Sequence, residues 1–190
     1  MNSTSLVYLW VGLGFAAFGY AAYRAIRMYR RFRGKRLVTC PENQQTAAVA
    51  LDATAATREA FWGKPHFRLA ECSRWPERRD CGQPCLGQIE SNLEGSLVQN
   101  IVAQWYAGKR CAYCGKPIVE SEPVWADHKP ALASRTEPPV EWDHLPPERL
   151  PEMFQTRLPV CWSCQVAEAF RRRFPEQITD RPPSKFRIRF

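Results

Sequence analysis

The first 23 residues of this 190-residue chain contain no charged side chain. A cleaved secretion signal carries positive charge before its apolar run, so the uncharged residues 1–5 argue against that class of leader. Residues 6–23 continue for 18 positions without a charge. As a helix this run would extend about 27 Å, close to the roughly 30 Å thickness of a bilayer core. The sequence therefore predicts a transmembrane helix over residues 1–23.

Acidic residues are absent from the next segment, residues 24–36, which holds seven arginine and lysine side chains. Positive charge on one side of a membrane span indicates that this side faces the cytoplasm. We therefore expect a single-pass membrane protein with its N-terminus outside and its C-terminal domain in the cytoplasm. The basic juxtamembrane segment 24–36 would contact anionic lipids.

The net charge of +8 does not indicate a nucleic-acid partner once its distribution is considered. Seven cations lie in residues 24–36 and seven in residues 171–190, which leaves 13 cations against 17 anions in residues 37–170. Nucleic acid is therefore not an expected partner of this mildly acidic body. The basic tail, residues 175–190, fits either a solvated end or a segment at an anionic lipid surface. With 45% hydrophobic and 24% charged residues, a fully disordered or fibrous chain is excluded.

All eight cysteines follow the predicted span and would lie in the reducing cytoplasm. Disulfides are rare there, so the cysteines are interpreted as thiolate ligands or free thiols. Four thiolates complete a closed tetrahedral zinc site, and eight would complete two. The two candidate ligand sets are Cys111, Cys114, Cys161 and Cys164, and Cys40, Cys72, Cys81 and Cys85.

The set Cys111, Cys114, Cys161 and Cys164 has the spacing C-x2-C-x46-C-x2-C. Each C-x2-C pair places two sulfurs on one tight turn, and Gly115 gives the first turn backbone freedom. Helical spacing after Cys164 predicts that the last ligand lies at a helix start. No thioredoxin-like βαβ pattern surrounds either pair, which argues against redox chemistry. A knuckle, a β segment and a ligand-bearing helix predict a treble-clef-like zinc lobe.

The other set, with the spacing C-x31-C-x8-C-x3-C, matches no common zinc motif. Its surroundings still predict the scaffold of a small domain, with a strand over residues 47–51, a helix over residues 53–62 capped by Asp52, and a strand ending at Cys72. We expect a second zinc ion here. An iron–sulfur cluster is the alternative cofactor, and buried thiols without metal are the other interpretation.

Two further local patterns lie in the C-terminal half of the chain. Residues 97–106 have apolar side chains at helical spacing, which predicts an amphipathic helix with Ser96 as its N-cap and Gly108 at its C-terminal end. Residues 137–156 predict a strand, a proline turn and a short helix.

Two Asp-His pairs lie between the C-x2-C pairs, Asp127-His128 and Asp143-His144, each preceded by tryptophan and followed by proline. With the cysteines, the Asp-His-x-Pro stretch at 127–130 resembles the zinc-bearing form of the HNH endonuclease fold over residues 111–174. The resemblance implies that His128 is a general base and that Asp127 helps to hold a divalent metal ion. The chain departs from the family after Cys164, where Gln165 and its neighbours include no closing histidine or asparagine, so it resembles a degenerate member. A structural role for both histidines is the alternative.

Together these patterns predict an α+β fold in which one transmembrane helix is followed by a small cysteine-rich, metal-stabilised domain. The expected divisions are the helix at 1–23, the basic segment at 24–36, a first four-cysteine lobe at 37–92, a connecting helix and treble-clef-like lobe at 93–174, and the tail at 175–190. The predicted function is a membrane-anchored, zinc-binding interaction or scaffold module with a protein partner at the membrane, rather than an enzyme. The alternatives are a membrane-tethered iron–sulfur electron-transfer protein and an HNH-like nuclease that uses Asp127 and His128.

Overall fold

The computed structural model describes residues 3–78, 80–118, 128–134 and 137–177. The chain divides into two compact units, Met1–Ser96 and Leu97–Phe190. Each unit combines helices with a three-stranded antiparallel sheet. The predicted α+β fold class is therefore confirmed. Most of the basic tail, residues 178–190, lies outside the described residues.

The first helix, α1, spans Ser3–Phe32 and is 30 residues long. Large apolar side chains along it are exposed, among them Trp10, Phe15 and Phe18. In the described part of the chain, one helix is long and apolar enough to cross a membrane, and it is this one. The helix continues through most of the basic segment, and its last residue, Phe32, is buried in the first unit. The apolar run and the residues that follow it therefore form one continuous helix.

The first unit contains strands β1 (Lys35–Thr39), β2 (Thr46–Leu51) and β3 (Leu69–Cys72), in the sheet order β1-β2-β3. Leu37 pairs with Ala48, and Val49 pairs with Cys72. Helices α2 (Ala53–Trp62) and α3 (Leu86–Ser91) complete the unit. Its core consists of apolar side chains from the three strands and α3, namely Val38, Ala47, Val49, Leu51, Leu69, Cys85 and Ile89.

Helix α2 begins where the sequence predicts. The Asp52 carboxylate accepts hydrogen bonds from the backbone N–H of Ala55, at 2.9 Å, and from the Thr54 hydroxyl, at 2.6 Å. These bonds satisfy a backbone donor at the helix start and lower the pKa of Asp52. The predicted cap is confirmed.

Arg36 differs from the other six cations of the basic segment because its side chain is fully buried. Its guanidinium donates hydrogen bonds to the carbonyls of Leu93 and Arg31 and to the Ser96 hydroxyl, the last two at 2.9 and 3.2 Å. Burial, followed by the nearby charge of Arg31, lowers the pKa of Arg36. The sequence predicts that Arg36 faces lipid headgroups, but in the structure its side chain connects β1 to Leu93 and Ser96 at the end of the first unit.

The second unit begins with α4 (Val98–Tyr106), which buries Val98, Val102 and Tyr106 along one face. Gly108 follows it with φ +68°, as a helix C-terminus favours. The prediction that Ser96 is the N-cap is wrong, because Leu97 takes that position and makes no side-chain cap. The Ser96 hydroxyl instead accepts a hydrogen bond from Arg36.

The sheet of the second unit has the order β5-β4-β6. Its strands are β4 (Ala131–Ala133), β5 (Val140–Glu141) and β6 (Leu158–Val160), and the helices α5 (Leu150–Thr156) and α6 (Trp162–Arg173) flank β6 in sequence. Short 3-10 turns cover Trp142–His144, Pro147–Arg149 and Pro175–Gln177. The strand, proline turn and helix predicted for 137–156 are thus confirmed. The buried Tyr106 hydroxyl donates to the Ala131 carbonyl at 2.9 Å, which ties α4 to β4.

Candidate metal centre

The first C-x2-C pair lies on a tight turn. The backbone N–H of Gly115 donates to the Cys111 carbonyl at 2.9 Å, and that of Cys111 donates to the Lys116 carbonyl at 2.9 Å. Gly115 has φ +72°, a conformation that glycine adopts without steric cost. The turn therefore brings the side chains of Cys111 and Cys114 close together, as the sequence predicts.

The second pair lies at the start of α6. Cys161 is the N-cap residue and Cys164 lies in the first turn, where its N–H donates to the Cys161 carbonyl at 3.1 Å. Two hydrogen bonds join this region to the first turn. The Ala112 N–H donates to the Pro159 carbonyl at 2.9 Å, and the Cys161 N–H donates to the Cys111 Sγ at 3.3 Å. Strand β6 thereby positions the two pairs against each other.

The four sulfur atoms of Cys111, Cys114, Cys161 and Cys164 all lie within 4.8 Å of one another. The Sγ atoms of Cys114 and Cys161 are 3.8 Å apart. A tetrahedral zinc ion with Zn–S distances of about 2.3 Å holds its sulfurs about 3.8 Å apart. The cluster could therefore hold a metal ion such as zinc, and the predicted gathering of these four cysteines is confirmed.

The thiols of this cluster differ in their readiness to ionise. Burial is the main cause that raises the pKa values of Cys161 and Cys164. Burial also acts on Cys111, but N–H groups of Cys161, Cys114 and Tyr113 outweigh it and lower the pKa of that thiol. Metal binding to the cluster would displace protons from the other thiols, so its affinity would fall as the pH falls.

The proposed catalytic pair is only partly described. Asp127 lies outside the described residues. His128 is exposed, and its ring meets the Trp162 ring edge to face with centroids 4.2 Å apart. Trp162 directly follows Cys161, and no spacing in the sequence predicts its contact with His128. The contact places His128 beside the cysteine cluster.

The structure brings together a second group of potential metal ligands, Glu141, Asp143 and His144. Each of the three offers one ligand atom, and these atoms lie within 4.8 Å of one another. The sequence pattern pairs Asp143 with His144 but does not predict that Glu141 joins them. Asp143 pairs with the Lys129 ammonium at 2.5 Å, and Glu141 accepts a hydrogen bond from the Gln165 amide at 2.9 Å. Both carboxylates thus have protein partners, so we assign no metal to this group.

The four cysteines of the first unit line a single cavity. Cys40 follows β1, Cys72 ends β3, Cys81 lies in the connecting segment and Cys85 precedes α3. In the described part of the chain, no three of their sulfurs lie within 4.8 Å of one another. The four predicted ligands of the first unit therefore share a cavity, but their sulfur atoms are farther apart than those of the cluster in the second unit.

Comparison of the chain with protein families, with curated proteins and with solved structures finds no match. The resemblance to the HNH fold therefore remains a prediction from residues 111–174.

Proposed function

We propose that this chain is a single-pass membrane protein whose cytoplasmic part is a zinc-binding interaction module without catalytic activity. The observation that carries the proposal is the cluster of Cys111, Cys114, Cys161 and Cys164, with the Cys114–Cys161 sulfur distance of 3.8 Å. Four thiolates close the coordination shell of zinc and leave no position for water or substrate. Such a site stabilises a fold rather than activating a nucleophile.

A treble-clef arrangement is part of this proposal. The knuckle at Cys111 and Cys114, the sheet that includes β6, and α6 with its two ligands follow one another in the order that arrangement requires. Zinc would connect the knuckle to the helix. The short strands of the unit, two and three residues long, favour a fold that depends on such a connection.

The membrane anchor is proposed from α1. Exposed apolar side chains along the helix would be covered by lipid, and six exposed cations of residues 24–36 would lie at the cytoplasmic headgroups. The Arg24 guanidinium lies 5.5 Å from the Phe61 ring centroid, which brings the end of α2 near the end of the apolar run. Trp62 beside it is 85% exposed. An exposed indole suits the interfacial region of a bilayer.

A protein partner is proposed from α6. This helix has no buried residue in the structure, and it exposes Val166 and Phe170 one turn apart. Arg171, Arg172 and Arg173 follow in its last turn. An apolar pair beside a basic turn fits a partner with an apolar contact surface and acidic residues around it.

The topology can be tested with fusions to the C-terminus of the full chain. We expect a fused green fluorescent protein to fluoresce and a fused alkaline phosphatase to be inactive, because both report a cytoplasmic C-terminus. Leu13→Arg should lower the membrane-bound fraction, since an arginine at the centre of a span costs about 3 kcal/mol. Leu13→Ile is the matched control. An active phosphatase fusion would contradict the orientation.

The three candidate functions differ in metal content and activity. Purified full-length protein is expected to contain zinc, to be colourless and to leave supercoiled plasmid intact in the presence of Mg²⁺. His128→Ala should behave like the wild type, because His128 would contribute only its contact with Trp162. Brown protein with iron and acid-labile sulfide would favour electron transfer instead. Nicking that His128→Ala abolishes would favour the nuclease, with an active HNH enzyme as the positive control.

A further inference from the structure

The geometry points to a second metal site in the first unit. We propose that Cys40, Cys72, Cys81 and Cys85 bind one zinc ion, and that they do so independently of the cluster in the second unit. The four residues come from three different parts of the unit and line one cavity. The proposal goes beyond the function above, which requires only the second cluster.

The sheet brings two of the four cysteines to one face. Cys72, the last residue of β3, pairs with Val49 of β2, and Val49 pairs with Arg36 of β1 on its other side. Cys40 directly follows β1, four residues after Arg36. Because side chains alternate between the two faces along a strand, Cys40 and Cys72 belong to the same face of the sheet.

Two glutamines hold the segment with the other two cysteines across the sheet. The Gln83 side-chain carbonyl accepts from the Leu69 N–H of β3 at 3.0 Å. The Gln88 side chain bonds both backbone groups of Thr39 in β1, accepting at 3.0 Å and donating at 2.6 Å. Cys85 lies between these two contacts and is buried. The segment is therefore fixed to both edge strands, with Cys85 above the sheet.

The cavity has the size of a single ion. Its volume is ≈ 20 Å³, and its apolar lining includes Val38, Ala47, Val49 and Leu69. That is room for about one or two water-sized bodies. The cavity is therefore large enough for one zinc ion.

Arginine side chains supply charge at the rim of the cavity. Arg74 donates from Nη1 to the Cys40 Sγ at 2.8 Å, and its side chain is 22% exposed. Arg78 also lines the cavity. Zinc with four thiolates carries a net charge of about −2, and hydrogen bonds from cationic groups to the ligand sulfurs stabilise such a centre. Arg74 is therefore assigned as a positioning residue for Cys40.

Zinc binding would draw these sulfurs together, because a tetrahedral site needs them about 3.8 Å apart. Cys81 lies in irregular backbone, outside the paired strands and two residues before the Gln83 contact. It can approach the other sulfurs without breaking the pairing of β1, β2 and β3. We therefore expect the ion to fix Cys81 in place.

The test is the metal content of the full-length chain, purified in detergent under anaerobic conditions and measured by mass spectrometry. Wild type should contain two zinc ions per chain, and Cys81→Ser should retain one. Asp80→Ser introduces the same side chain at the neighbouring exposed position and should retain two. Cys161→Ser should also retain one, which assigns each ion to its own cluster.

Pulsed alkylation of the unmutated chain provides a readout that does not depend on how well a variant folds. Cys40, Cys72, Cys81 and Cys85 should resist the reagent together and become reactive together when a chelator is added. One zinc per chain, lost in Cys161→Ser and unchanged in Cys81→Ser, would overturn the second site and leave the proposed function standing. A chain without zinc would overturn both. Iron and sulfide lost in Cys81→Ser would overturn the assignment of zinc.

Discussion

Loss of the proposed metal ion from the second unit is expected to unfold that unit. Structural zinc contributes an apparent 10–16 kcal/mol in zinc-finger peptides, about as much as the whole stability of an ordinary domain. Helix α6 has no fully buried side chain, and beside its cysteines it is held by contacts at the surface, such as Trp162 with His128 and Gln165 with Glu141. The backbone contacts between the two cysteine pairs, such as Ala112 to Pro159, would not keep the pairs together without an ion.

Cys161→Ser isolates this effect, because a chelator would also strip any metal from the first unit. Hydrogen exchange followed by mass spectrometry on the full chain should show residues 97–177 exchanging close to unfolded rates in Cys161→Ser. Residues 35–91 should keep their protection. Ser163→Ala changes an exposed residue within the same turn and should match the wild type. Native-like protection of α6 and β6 in the metal-free variant would contradict the structural role of the ion.

Arg36→Met is expected to destabilise the first unit by about 2 kcal/mol, because an acceptor that loses its donor away from water costs about 1–3 kcal/mol. The substitution preserves most of the buried volume but removes the guanidinium donors to the carbonyls of Arg31 and Leu93, of which the Leu93 carbonyl keeps the Ser96 hydroxyl as a donor at 3.2 Å. The Ser96 hydroxyl would lose a donor too. The effect should be large because Arg36 is fully buried.

This change can be measured by unfolding the first unit in urea and monitoring the hydrogen-exchange protection of the β1 and β2 amides. Arg33→Met is the matched control, because Arg33 is exposed two positions before β1 and should shift stability by less than about 0.5 kcal/mol. Arg36→Lys should fall between the two, since an ammonium cannot reach all three acceptors in the same geometry. An Arg36→Met variant as stable as Arg33→Met would show that the buried guanidinium contributes nothing.

Features that depend on neighbouring residues could be predicted from the sequence. Asp52 caps α2 because its carboxylate needs only a donor three residues later. Gly115 follows the first cysteine pair because the turn itself requires a positive φ. The helical spacing after Cys164 likewise predicts a ligand at the start of α6. In each case the local structure depends on a few consecutive residues.

Features that depend on distant pairing could not be predicted in this way. In the sequence Arg36 looks like the six exposed cations around it, and only the register of β1 places its side chain on the buried side with Val38. Ser96 is a residue type that favours the N-cap position, but its hydroxyl accepts a hydrogen bond from Arg36, which lies 60 residues earlier in the chain. The contacts of Gln83 and Gln88 with the sheet edges have no signal in the spacing of the cysteines. Glu141 approaches His144 only because a 3-10 turn follows β5.

The continuity of α1 has a consequence for where the first unit can act. From Arg24 to Phe32 the helix advances eight residues, or about 12 Å, and then enters the core of the unit without a flexible linker. In the proposed topology this fixes the height of the unit above the bilayer and leaves it free to diffuse only laterally. A partner that binds this unit would then have to reach the membrane surface itself, so encounters would depend on the lateral density of both proteins rather than on their concentrations in the cytoplasm.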